Sequence, residues 1–119
     1  MPEAKTYSGS CHCGNVRYEV KTDLAKVLSC NCSLCSRAGY LLSFVPVSQF
    51  KLISGEDSLQ DYRFNRHVIA HVFCKSCGVR SFAKGKDPSG NEVRAINVRC
   101  LEGVDPDTLT ITKVDGRSL

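Results

Sequence analysis

Seven of the eight cysteines in this 119-residue chain fall into three short runs. The runs are Cys11-His12-Cys13-Gly14, Cys30-Asn31-Cys32-Ser33-Leu34-Cys35 and Cys74-Lys75-Ser76-Cys77-Gly78, while Cys100 stands alone. Two thiolates reach one ion when the chain between them turns sharply. A glycine placed just after such a pair takes the positive φ of the turn at no steric cost. Backbone amides inside the turn can also donate to the sulfurs and hold down their charge. A structural zinc site takes four ligands in a tetrahedron, whereas a catalytic one keeps a position open beside three. Cys11, Cys13, Cys74 and Cys77 together would close a four-sulfur site and tie the start of the chain to its middle. Cys30, Cys32 and Cys35 would then form a three-sulfur set with room for water, a thiolate or a substrate oxygen. Spacing leaves other partnerships open: Cys100, His12, His67 or His71 could close the three-cysteine set, and thiolates suit iron as well as zinc.

Composition limits the setting for this chemistry. The chain is an ordinary globular mix, 42% hydrophobic and 24% charged, which excludes disordered, collagen-like and coiled-coil classes. At this length it fits one domain over residues 1–119. The longest apolar stretch, Tyr40 to Val47, is interrupted by Ser43 and Pro46 and falls far short of a membrane helix. The N-terminal MPEAKTYSGS has no apolar core of the signal-peptide kind. A reducing, cytoplasmic compartment is therefore expected, where clustered thiols read as metal ligands or catalytic groups and not as disulfides. Lys and Arg exceed Asp and Glu by four. Seven ionised thiols and two dications would remove three of those four surplus charges, so the basic bias is no nucleic-acid signature.

The elements that must position the cysteines read as strands. Asn15 to Val20 alternates, with Val16, Tyr18 and Val20 on one face. Lys26–Ser29, Phe50–Ile53, Ser58–Phe64, Val68–Phe73, Val79–Ala83, Val93–Arg99 and Leu109–Val114 are further strands of ordinary length. Tyr40–Val45 is more continuously apolar, as in a strand buried on both sides. Ser33–Ala38 predicts a short helix capped by Ser33 and ended by Gly39, and Pro46–Gln49 predicts another turn. Gly85–Asn91 reads as a polar loop. His67 and His71, four apart on a strand pattern, share a face and read as sheet-surface residues, and Cys100 reads as a small buried hydrophobe. The fold class is mainly β, with cysteine runs at the strand ends. Such a small core gains from metal cross-links, because metal binding to a site absent from the unfolded chain becomes folding free energy.

The run Gly9-Ser10-Cys11-His12-Cys13-Gly14-Asn15-Val16-Arg17-Tyr18-Glu19-Val20 resembles the opening of the glutathione-dependent formaldehyde-activating enzyme (centromere protein V) family. The Cys30–Cys35 run, the segment Phe73–Gly78 and the stretch Ile96–Asp105 are similar to that family in order and spacing. The resemblance implies a single-domain, mainly β, Mss4-like fold with two zinc sites. It implies a structural zinc on Cys11, Cys13, Cys74 and Cys77, and an active-site zinc on Cys30, Cys32 and Cys35. It also implies a carbon–sulfur lyase that condenses glutathione with formaldehyde to S-hydroxymethylglutathione, with a small-molecule thiol–aldehyde adduct as its partner.

Zinc held by three thiolates can deprotonate a thiol and polarise a carbonyl. The net negative charge of that centre favours thiolate delivery over Lewis acidity. Glutathione is anionic, and Arg37, Arg63, Arg66 and Arg80 are candidate contacts. The competing reading is a zinc-stabilised module that binds protein or nucleic acid without catalysis. Arg63, Arg66, Lys75, Arg80, Lys84 and Lys86 would form its basic surface, but they are interleaved with acidic residues and lack an aromatic-rich motif.

Overall fold

Val16, Tyr18 and Val20 are buried while Arg17 and Lys21 are exposed, the period-2 alternation of a strand with one face on a core. The computed structural model describes residues 4–63 and 69–115. Ten strands are found among them: β1 (Lys5–Ser10), β2 (Arg17–Thr22), β3 (Val27–Cys30), β4 (Leu42–Pro46), β5 (Phe50–Ser54), β6 (Leu59–Tyr62), β7 (Ala70–Cys74), β8 (Phe82–Lys86), β9 (Glu92–Asn97) and β10 (Ile111–Val114). One helix, α1 (Ser33–Ala38), lies between β3 and β4. The chain is mainly β, as expected. No helix among the described residues is long and apolar enough to cross a membrane.

The strands form a three-stranded sheet, β1-β2-β5, and a seven-stranded sheet, β10-β3-β4-β9-β8-β7-β6. Pairing is antiparallel except for β10 on β3. After Pro46 a single 3-10 turn (Val47–Gln49) carries the chain from β4 in the larger sheet to β5 in the smaller. The main core contains Tyr18 and Val20 from the small sheet and Val45, Val72, Phe82 and Ile96 from the large one. Its centre is aromatic: Tyr18 stacks on Phe50 at 5.3 Å, and Phe82 meets both rings at 5.7 and 4.7 Å.

A Cβ on Gly9 would overlap the Tyr18 ring, so β1 reaches β2 only because that position has no side chain. Gly9→Val is expected to cost about 2 kcal/mol or more through overpacking. It would be read as a lowered urea midpoint with an unchanged slope; an unmoved midpoint would show that the ring can yield.

Several boundaries differ from the sequence reading. Strand β1 has little apolar content and was not expected. Strand β8 begins at Phe82, not Val79, because Val79 closes the preceding turn through Cys74 N–H to Val79 O at 3.1 Å. The same strand absorbs Gly85 and Lys86, leaving a tighter turn in which the Asp87 carboxylate accepts the Ser89 and Asn91 amides. Strand β9 stops at Asn97, whose side-chain oxygen accepts the Arg99 amide and starts a 3-10 turn. Strand β4 is not buried on both faces, since Phe44 is 52% exposed. The expected strands at Ser58–Phe64 and Val68–Phe73 run partly outside the described residues, as do Arg66 and His67.

Candidate metal centres and active site

Two of the hairpin connections carry cysteine pairs. Cys11 and Cys13 lie between β1 and β2 of the small sheet, while Cys74 ends β7 and Cys77 lies in the turn to β8 of the large one. The two turns share one construction. Cys11 N–H donates to Val16 O and Cys74 N–H to Val79 O, each at 3.1 Å and each spanning five residues. Gly14 and Gly78 follow the pairs with φ of 83° and 79°, as the spacing led one to expect. The Asn15 side-chain amide bonds to the Ser76 hydroxyl at 3.3 Å, joining one turn to the other.

All four sulfurs lie within 4.8 Å of one another, and Cys13 is 3.6 Å from both Cys11 and Cys74. Four thiolates around zinc at ~2.3 Å would stand ~3.8 Å apart, so this donor set fits the ion. The Val16 amide donates to Cys11 Sγ at 3.3 Å. The Val79 amide, chief among several donors, pulls the Cys77 thiol down to about 6, and the Cys77 amide leads in lowering Cys74. The Asn15 amide acts the same way on Cys13, but desolvation and the three neighbouring sulfurs outweigh it and push that thiol up to about 11. Crowded sulfurs resist full ionisation without a cation among them.

The second group is Cys30 at the end of β3, with Cys32 and Cys35 at the start of α1; their sulfurs also lie within 4.8 Å of one another. The helix cap is Cys32, not Ser33. Cys32 has extended backbone, and its Sγ accepts the Cys35 amide at 3.3 Å, which makes Ser33 the first helical residue. Gly39 ends the helix at φ 72°, as expected. Burial raises the Cys32 thiol, but the Cys35 amide and the neighbouring thiols win and lower it. Burial first, then Cys32 and Cys30, holds Cys35 up. Three sulfurs with soft-metal spacing fit a zinc ion bound with one position left over.

Among the described residues no fourth ligand joins this triad. His12 is exposed. The Cys100 thiol points to Arg80 O at 3.9 Å, and burial raises it. His71 is buried and not on the sheet surface; burial, then the Arg80 charge, lowers its pKa. It lines a cavity beside the triad without belonging to the ligand group.

Two cavities flank the triad. The more polar of the two, about 450 Å³, includes Asn31, Ser36, Arg99, Lys113 and Asp115. The apolar one, about 350 Å³, lies over the outer face of the large sheet. Cys30, Cys35 and Tyr40 line both. Tyr40 is 3% exposed, and its hydroxyl makes no hydrogen bond among the described residues. Burial holds that hydroxyl above its ordinary pKa against the opposing Arg80 charge, so it is protonated at neutral pH.

Of the arginines named from sequence, Arg37, Arg63 and Arg80 do not line either cavity. Arg37 donates to Ser33 O on its own helix at 2.8 Å, and Arg63 pairs with Asp61 at 3.0 Å. Arg80 sits over Phe73 at 4.9 Å and Tyr62 at 5.9 Å. Arg99, Lys113 and Tyr40, which do line a cavity, are marked by no local spacing. Only the adjacency of Tyr40 to the Cys30–Gly39 segment could have raised it.

The model of the family described as glutathione-dependent formaldehyde-activating enzyme matches residues 6–112. A crystal structure of a Rhodobacter sphaeroides protein is 32% identical, covers 88% of this chain and 99% of its own, and superposes with a TM-score of 0.76. With both cysteine groups assembled on this scaffold, the chain belongs to the glutathione-dependent formaldehyde-activating enzyme family and has its mainly β, Mss4-like fold.

Proposed function

We propose that this protein, acting as one zinc-binding domain, forms and cleaves the carbon–sulfur bond of glutathione–aldehyde adducts, with S-hydroxymethylglutathione as the simplest. Cys11, Cys13, Cys74 and Cys77 hold a structural zinc, and Cys30, Cys32 and Cys35 hold the zinc of the active site. The observation that carries this reading is a three-sulfur group with no fourth side-chain ligand among the described residues, at the junction of two cavities. A zinc ion bound there supplies thiol deprotonation and carbonyl polarisation.

The protein's own groups do the rest. Arg99 and Lys113 in the polar cavity attract the carboxylates of glutathione and orient its cysteine towards the triad. The glutathione sulfur bonds to the aldehyde carbon as the carbon–oxygen double bond becomes single, and one proton moves from thiol to oxygen. In this reading Tyr40, protonated and shared by both cavities, supplies the proton to that oxygen and is restored by the thiol's proton. The reverse sequence splits the adduct, and no oxidant or reductant is needed.

The direct test is exchange NMR on the zinc-loaded protein with glutathione and formaldehyde. The interconversion rate should exceed the spontaneous rate in proportion to protein concentration. A rate no higher than the spontaneous one would overturn the activity. Tyr40→Phe should slow this exchange on the order of a hundredfold. Its thermal midpoint should hold or rise, because a buried hydroxyl without a partner is removed. Full activity in that variant would remove Tyr40 from the chemistry.

A further inference from the structure

Taking the glutathione-adduct chemistry proposed above, we infer that the aldehyde partner carries an apolar alkyl or aryl group, which lies in the second cavity. The strand register creates that space. On the outer face of the seven-stranded sheet, Phe44 is opposite Ala95, Ala95 opposite Ala83, and Gly85 opposite Val93. Side chains alternate across a sheet, so the neighbours Val45, Phe82 and Ile96 point the other way into the main core. Ala83, Gly85 and Ala95 therefore make a floor of minimal side chains, a shallow region between larger walls. Phe44 and Ile69 stand at the rim, 52% and 46% exposed. Large apolar side chains left exposed around one hollow mark a binding surface.

The occupant is constrained by what shares the cavity. Cys30, Cys32 and Cys35 form part of its wall, so a molecule filling it reaches the triad. Lys86 is its one charged lining residue among the described residues. Glutathione, with two carboxylates and an ammonium, matches the cavity that holds Arg99 and Lys113 and not this one. Formaldehyde has no carbon beyond its carbonyl and would leave the apolar walls facing water. A volume of about 350 Å³ is at the small end of ligand pockets and suits a substituent of roughly six to ten carbons. Burying such a group releases that water, which is the favourable term. The triad then joins a polar thiol from one side to an apolar aldehyde from the other.

The test is calorimetric titration of the zinc-loaded protein with S-methylglutathione, S-hexylglutathione and 1-hexanol, none of which is an aldehyde that could react with lysines. S-hexylglutathione should bind at least about tenfold more tightly than S-methylglutathione. Two variants change the cavity in opposite senses. Phe44→Ser removes part of the rim at an exposed position. Gly85→Val fills the floor, where an added Cβ meets only Ile69 at an ordinary 3.7 Å. Each should shrink the hexyl-to-methyl ratio to about threefold or less. Equal affinities in the parent protein would overturn the inference, as would a hexyl preference that both variants retain. So would a dimer detected by sedimentation that Phe44→Ser dissociates while no hexyl compound binds, because the face would then be covered by a second copy. If neither thioether binds but 1-hexanol does, and both variants lose it, the apolar pocket stands and the glutathione reading fails.

Discussion

Cys74→Ser is expected to abolish the cooperative fold or lower the thermal midpoint on the order of 20 °C. Cys74 is buried at the end of β7, and its sulfur lies 3.6 Å from Cys13 across the two hairpins. The four-sulfur centre is where the small sheet is tied to the large one. A hydroxyl is a poor replacement for a soft ligand, and it leaves three thiolates crowded at one end of the core. Binding free energy that was folding free energy is lost with the ion. Differential scanning calorimetry and metal analysis check this together: the parent should carry one zinc for each of its two cysteine groups, and the variant should lose the first. A variant with the parent's midpoint would refute the structural role.

Cys32→Ser should do the reverse, removing activity on the order of a thousandfold or more while leaving the midpoint within a few degrees. The substitution is selective for a local reason. Cys32 caps α1 by accepting the Cys35 amide, and serine is among the best residues at that position. The helix therefore keeps its cap while the triad loses a sulfur. Exchange NMR reads the activity and calorimetry reads the fold. Collapse of the fold in this variant would make the second centre structural as well.

The difference between the two outcomes follows from what each group connects. The four-sulfur centre joins segments far apart in sequence and in different sheets. The triad lies within one short connection between β3 and β4, whose ends are already held by sheet pairing.

How much of this is legible in the chain depends on how local the information is. Cys11-x-Cys13-Gly14 and Cys74-x-x-Cys77-Gly78 write their own geometry, because sharp turns, positive φ at Gly14 and Gly78, and amides aimed at sulfur arise within a few residues. Helix α1, from its sulfur-bearing start to Gly39, is as local, although the capping atom is sulfur and not the expected hydroxyl. The alternation at Val16, Tyr18 and Val20 likewise declares its buried face. By contrast, β1 shows almost no apolar pattern and exists because Gly9 lets it close on Tyr18. The start of β8 is displaced because the preceding turn consumes Val79.

The sequence alone determined the three cysteine runs, the mainly β class and the family, because each is carried by contiguous motifs whose chemistry acts at short range. Tertiary structure alone decided that the triad has no fourth ligand among the described residues and that it lies between a polar and an apolar cavity. It also decided that Tyr40, Arg99 and Lys113 line the cavities beside the triad while Arg37, Arg63 and Arg80 do not. Those properties depend on which side chains cross-strand register brings together. Residues as distant as Phe44 and Ala95, or Cys30 and Val114, become neighbours through backbone pairing that no local spacing announces.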